Sequence, residues 1–327
     1  MTPWTPARRA RNGTVELAHD QLAAHRDGEP LLLVTGLGVS RLWWPDGLAE
    51  ALAAQGFAVA RYDQRDAGES TRLPPTATGN PATGNPVTAL FRRRGAAYTA
   101  EDMTDDAVAV LDALGWDSAH LLGQSLGGAI AQRIALRHPE RVRTLTSVSA
   151  VPGDAAGLGT VRHLRMRTLA RLARMRFPDT PEGDIRAGMA VARLMHSPAH
   201  PFDERATEER ITAMADAGVR DARSQSRQIG AQWHGPPIGR IAVPTLVLHG
   251  MDDPLVKPAA GRAVASRIPG ARFVGLPGVG HGLPEPVWAD VAVQVRRLAD
   301  GQGGGCPARY SSTGSNSGSS KPASSNG

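Results

Sequence analysis

The chain has 327 residues, 41% hydrophobic and 4% aromatic, with a formal net charge of +6. That size and apolar content suffice for one large domain or two small ones. Apolar runs such as 31–34 are far too short to span a bilayer, and the arginines of the first eleven residues precede no apolar segment, so no membrane span and a cytoplasmic location are expected. Of the 37 basic residues only Lys257 and Lys321 are lysines. This arginine bias is spread along the chain and is not interleaved with aromatics, so no nucleic-acid partner is expected. The single cysteine, Cys306, sits in a Gly-rich tail, which excludes a disulfide, a zinc cluster or a cysteine nucleophile in the core.

Residues 14–18 alternate enough for a first strand. Leu31, Leu32, Leu33 and Val34 form a continuous apolar run of the kind buried on both faces of a parallel sheet. Thr35-Gly36-Leu37-Gly38-Val39 follows as a flexible turn at a strand's carboxyl end, where open α/β sheets hold ligands. Trp43 and Trp44 come next, then a helix over 45–55 stopped by Gly56 and a strand over 57–62. The polar turn 63–70 is expected to be structural, with Asp63 and Arg65 bonding backbone around the site. An Ala-Thr-Gly-Asn-Pro unit repeated at 77–86 and the arginines 92–94 read as a surface loop. A helix then starts with Thr99 as cap and Asp102 at the capping-box position, and Gly115 stops it.

Residues 119–122 predict a short strand, and Gly123-Gln124-Ser125-Leu126-Gly127 then turns sharply into a helix running to about 137. A Gly-x-Ser-x-Gly turn of this kind strains the serine backbone and presents its hydroxyl, while side chains at Gly123 and Gly127 would collide with the neighbouring strand and helix. Ser125 at the helix start also lies near the positive end of the helix dipole. After a strand at 142–148 the alternation stops. Residues 151–234 are helical in pattern, and strands resume at 244–249 and 271–276 before a last helix at 285–299. The first helix of this insertion, at 161–176, holds six arginines and no acid, which reads as a solvated face or as attraction to an anionic substrate or a membrane surface.

A serine hydroxyl needs a base, and the base needs an acid to hold its tautomer. Ser125, Asp253 and His281 occur in that order, and His281 is the one of ten histidines in a Gly-rich loop after a late strand. His249, at a strand end, reads as structural. Asp253 is preferred to its neighbour Asp252 for lying directly before Pro254, and Asp154 is a weaker candidate. Backbone amides of Leu37 and Leu126 are the expected oxyanion donors. Apolar residues named as pocket lining are Leu169, Leu172, Met189, Leu194, Met195 and Trp233, with Trp43 or Trp44 near the oxyanion loop; as substrate-binding residues Trp43, Trp44, Met195 and Trp233 are singled out.

With these motifs in order, residues 14–300 resemble an α/β-hydrolase with a helical cap. The resemblance implies a mostly parallel central sheet flanked by helices, divided as 1–150 and 236–300 for the two parts of the core, 151–235 for the cap and 301–327 for a disordered tail. Trp44-Pro45-Asp46, the stretch 61–70 and Gly278-Val279-Gly280-His281 are similar to methylesterases acting on anthracycline-type aromatic polyketides. The usual His-Gly of the oxyanion loop is replaced by Thr35-Gly36. Implied is acyl transfer from a small hydrophobic ester through Ser125, His281 and Asp253, with no cofactor and no metal. A haloperoxidase-like perhydrolase, a lactonase and a carbon–carbon bond hydrolase use the same triad, and a non-catalytic binding protein of the same fold is the reading from another class. The sequence leaves the oligomeric state open.

Overall fold

The computed structural model describes residues 3–73, 97–178, 180–217 and 222–302. The repeat at 77–86, the arginines 92–94 and the tail from 303 onward, Cys306 included, lie outside them. The strands are β1 (Arg8–Asn12), β2 (Val15–Gln21), β3 (Glu29–Val34), β4 (Phe57–Tyr62), β5 (Ala119–Gln124), β6 (Val142–Val148), β7 (Thr245–Gly250) and β8 (Arg272–Leu276). They form one sheet in the order β1-β2-β4-β3-β5-β6-β7-β8. Only β2 runs antiparallel to its neighbours, β1 and β4, and the remaining pairs are parallel.

The apolar run of β3 is buried on both faces because helices cover both. Leu31 and Leu33 pack with Leu48 and Leu52 of α1 (Asp46–Ala53) and with Val291 and Val295 of α10 (Trp288–Ala299). Leu32 and Val34 face the other way, toward Met103 and Val110 of α2 (Ala100–Leu114) and Ile130 and Ile134 of α3 (Leu126–Arg137). The capping box at Thr99 and Asp102 is formed, and Gly115 ends α2 at φ 73°. Burying both faces of the central strands explains why their sequences are continuous and not alternating.

Three elements depart from the expected pattern. β1 was not expected, because Arg-Arg-Ala-Arg-Asn has one apolar residue; it is an edge strand that buries only Ala10, and its charges discourage further pairing. α9 (Pro258–Arg267) covers β7 with the small residues Ala260 and Gly261, too weak an apolar stripe to read. The expected helix at 161–176 is broken into α4 (Leu158–Val161) and α5 (Met166–Arg174). Between them Leu164 forms a strand-like bridge to Val256, and the Arg165 amide donates to the Leu255 carbonyl at 2.9 Å. Backbone groups satisfied by a neighbouring chain no longer need a helix.

The insertion continues with α6 (Pro181–Met195), α7 (Glu204–Asp216) and α8 (Ala222–Gly230) before the chain returns to β7. The chain goes from β3 outward to β4, then crosses back to β5 on the other side of β3. That reversal leaves a crevice beyond the carboxyl ends of β3 and β5, where ligands of open α/β sheets bind.

Candidate active site

Ser125 stands at the tip of β5 with φ 57° and ψ −120°, a conformation that non-glycine residues adopt only where the surroundings force it. The forcing contacts are close packing of backbone on backbone. A Cβ on Gly127 would lie 2.1 Å from the Val34 carbonyl of β3, and one on Gly123 would lie 2.3 Å from the Gly127 carbonyl. The Ser125 amide donates to Val148 O of β6 at 2.8 Å, so the turn is held between its two neighbouring strands. Leu126 begins α3, and its N–H is one of the four that a helix start leaves without an intrahelical acceptor.

His281 and Asp253 come from loops after β8 and β7 and meet with Nδ1 2.8 Å from Oδ2. Asp253 is fully buried. Burial opposes its ionisation, but attraction to His281, the hydrogen bond from that ring and amide donation from Val256 and Leu255 outweigh it and hold the carboxyl below its usual range. Those amides reach Oδ1 at 2.8 and 2.7 Å. Asp252 is exposed, and Asp154 accepts from the Ile238 amide and pairs with Arg267 away from the imidazole. His249 is fully buried, with Nε2 3.1 Å from the Val256 carbonyl, and burial lowers its pKa, which suits a neutral strut beneath the acid loop.

Ser125 and His281 face one cavity of about 1010 Å³, together with Gly36, Leu37, Leu126, Trp43 and Met195. The loop after β3 lies close to the serine: a Cβ on Gly36 would be 3.6 Å from Ser125 Cβ. Two glutamines fix this loop. Gln64 Nε2 donates to the Thr35 carbonyl, and the Gly38 amide donates to Gln228 Oε1 at 2.9 Å. Gln228 lies on α8 and uses its amide nitrogen to donate to Arg65 O, also at 2.9 Å. Peptide groups are planar units, so the peptide carrying the Leu37 N–H is bracketed by two peptides whose directions are set. Behind the loop, Asp63 accepts from the Arg41 amide and guanidinium at 2.5 Å each, and Asp20 joins Arg41 to Arg61.

The insertion touches all three loops. Arg165 Nε donates to Asp253 O at 2.8 Å, Met195 O accepts from the His281 amide at 2.9 Å, and Gln228 holds Gly38. None of these contacts was foreseen, since each joins polar residues far apart in sequence with no local signature. Arg65 also differs from expectation: its main partner is the buried carboxylate of Asp106, at 2.6 and 2.7 Å, with one bond to backbone at Asp102 O.

The pocket list needs correction. Leu169, Leu172 and Met195 line the cavity, and so do Trp43 and Trp44. Trp44 is nevertheless a core residue, fully buried among Leu48 and Leu31. Met189 packs with Ile211 and Met214 inside the insertion, and Leu194 is not at the cavity wall. Trp233 is not among the residues that line this cavity. It follows α8, where the chain has already turned back to the core, and its ring packs there under Arg133 with Nε1 donating to Pro236 O. An aromatic side chain in a predicted insertion carries no sign of which side of the sheet it will reach.

Sheet order, serine turn and a shared cavity define an α/β hydrolase. The comparisons agree: residues 29–285 match the alpha/beta hydrolase fold family, and the chain belongs to that family and is a hydrolase. Among known proteins it is similar to the rhodomycin D methylesterase DnrP of Streptomyces peucetius, 32% identical over 89% of this chain and 98% of the relative. The rhodomycin D methylesterase DauP of Streptomyces sp. (strain C5) is 33% identical over 82% and 91%. A solved hydrolase from Pseudomonas aeruginosa superposes with TM-score 0.62 at 26% identity, covering 89% of this chain and 98% of that one.

Proposed function

We propose that this hydrolase cleaves a carboxylic ester through an acyl-enzyme formed on Ser125. The observation that carries the reading is the His281–Asp253 hydrogen bond of 2.8 Å beside a cavity that Ser125 also lines. In the proposed cycle Ser125 Oγ attacks the ester carbonyl carbon and its proton passes to His281 Nε2. Asp253, ionised and held at Nδ1, keeps the imidazole in the tautomer that can accept it. The N–H groups of Leu37 and Leu126 donate to the oxyanion, which then collapses as His281 protonates the departing alcohol. Water, deprotonated by the same imidazole, attacks the acyl-enzyme; the acid leaves and Ser125 regains its proton.

The insertion acts as a cap, walling the reaction from bulk water and setting substrate range. The wall is mostly apolar and wide enough for a bulky acyl group, at the top of the usual range of about 300–1,000 Å³ for small-molecule pockets. Together with the two methylesterase relatives this favours a methyl ester of a bulky, polyketide-like aromatic compound. Purified protein assayed against a panel of aromatic methyl esters, short p-nitrophenyl esters, lactones and thioesters, with Ser125 labelled by a fluorophosphonate, tests the reading. Absence of labelling at Ser125 together with no turnover of any ester refutes it; turnover of lactones alone reassigns the bond cleaved.

A further inference from the structure

We propose that the outer face of α5, with the residues flanking it, docks on an anionic phospholipid surface. Leu158, Met166 and Phe177 are the large hydrophobic residues left exposed among those described, at 77%, 53% and 37% of their surface. All three fall within 158–177, the stretch that carries six arginines and no aspartate or glutamate. Coincidence of the exposed apolar side chains with the most basic stretch is the composition of an interfacial helix.

The geometry fits this use. Met166, Arg167, Ala170, Arg171 and Arg174 recur at helical spacing and are exposed, while Thr168 and Leu169 are buried. The inner side is anchored: Leu164 and Leu169 pack on Val256 and Ala260 beside the acid loop, so the basic face is presented by a fixed helix. Among the described residues, no carboxylate lies within ion-pair distance of any of these arginines. Unpaired guanidinium groups remain available to lipid phosphates, and their apolar stems lie along the acyl boundary while the heads stay wet. A nucleic acid or an acidic protein would satisfy the charges but leave Leu158 and Met166 in water; a lipid interface buries both. Phe177 is partly exposed and also lines the cavity, so the cavity reaches the surface beside this face, where a membrane-dissolved compound would meet it.

The test is co-sedimentation of the full chain with vesicles of phosphatidylglycerol and phosphatidylcholine, against vesicles of phosphatidylcholine alone, in about 0.1 M salt. Binding is expected only to the anionic vesicles and should be released near 1 M salt, where the screening length falls from about 10 to about 3 Å. Each arginine near the surface is worth about fivefold in partitioning, so Arg167→Gln/Arg171→Gln/Arg174→Gln should lower it about a hundredfold with an unchanged melting temperature. Leu158→Ser/Met166→Ser, outside the cavity wall, should lower it several-fold. Equal binding to neutral vesicles, no binding to either kind, or undiminished binding of either variant overturns the proposal. Retention of a DNA duplex without vesicle binding also overturns it, marking the face as a polyanion site.

Discussion

Gln228 offers the sharpest test of how the insertion takes part in the proposed chemistry, because it touches neither Ser125 nor His281. Gln228→Met keeps the length and volume of the side chain and deletes two buried hydrogen bonds, to Gly38 N and Arg65 O. A buried group left unpaired costs about 1–3 kcal/mol, and two are left here, so stability should fall by about 2–6 kcal/mol. The catalytic effect is separate. Freed of Gln228, the peptide after Leu37 can rotate, and the Leu37 N–H is no longer held between two fixed neighbours. Outright loss of one oxyanion donor costs about 10²–10³ in kcat; a donor that is misdirected but present should cost about 10–100-fold, or about 1.4–2.7 kcal/mol of transition-state binding. The assay is kcat and KM on a short p-nitrophenyl ester, well below the variant's melting temperature. The loss should fall in kcat with KM nearly unchanged. Affinity for a boronic acid, whose tetrahedral adduct needs the same donors, should fall in parallel, and affinity for the product acid should not. Gln228→Glu, which keeps an acceptor for Gly38, should recover part of the loss. A folded Gln228→Met protein with kcat within twofold of wild type would refute the bracketing argument.

Ser125→Ala should leave a folded protein and lower ester turnover by about four to six orders of magnitude, with His281→Ala costing about as much and Asp253→Asn somewhat less; steady-state kinetics that retain a tenth of wild-type activity in Ser125→Ala rule out the nucleophile. Gly127→Ala should abolish soluble expression or activity outright, since its Cβ would lie 2.1 Å from the Val34 carbonyl; a stable, active variant would show that β3 can yield. Met195→Ala should change the ratio of kcat/KM between bulky aromatic methyl esters and short esters, whereas Trp233→Ala should lower the melting temperature and leave that ratio alone. Because the Asp253 carboxyl is held below its ordinary range, the stability it contributes is complete above about pH 4, the unfolded value, and is lost as pH falls through the lower folded value. Thermal melts of wild type and Asp253→Asn should therefore converge in strong acid, and a constant gap down to pH 2 would contradict the assignment.

Much of this protein was decided locally. The serine turn is legible because Gly-x-Ser-x-Gly between an apolar strand and a helix answers a steric demand that only glycine meets; the Gly123–Gly127 contact is four residues apart, and the contact of Gly127 with Val34 follows wherever a neighbouring strand packs beside the turn. The Thr99–Asp102 capping box and the Gly115 stop are equally local, and the unbroken apolar run of β3 declares burial on both faces wherever the strand ends up. Ser125, Asp253 and His281 each follow a recognisable strand, which makes their loops legible in sequence; the fold sets Asp253 Oδ2 2.8 Å from His281 Nδ1 and opens Ser125 and His281 on one cavity. What sequence could not decide was which polar groups meet across the fold. The choice of Asp253 over Asp252 depends on which carboxylate the β7 turn buries toward His281, and neighbouring aspartates carry no mark of it. Gln64, Gln228 and Arg165 hold the loops through bonds between residues 29 to 190 positions apart, set by sheet order and by how the insertion folds back. Trp233 lies away from the cavity for the same reason: only the path of the chain after α8 determines that its half-buried ring packs against the core helices and not over the serine.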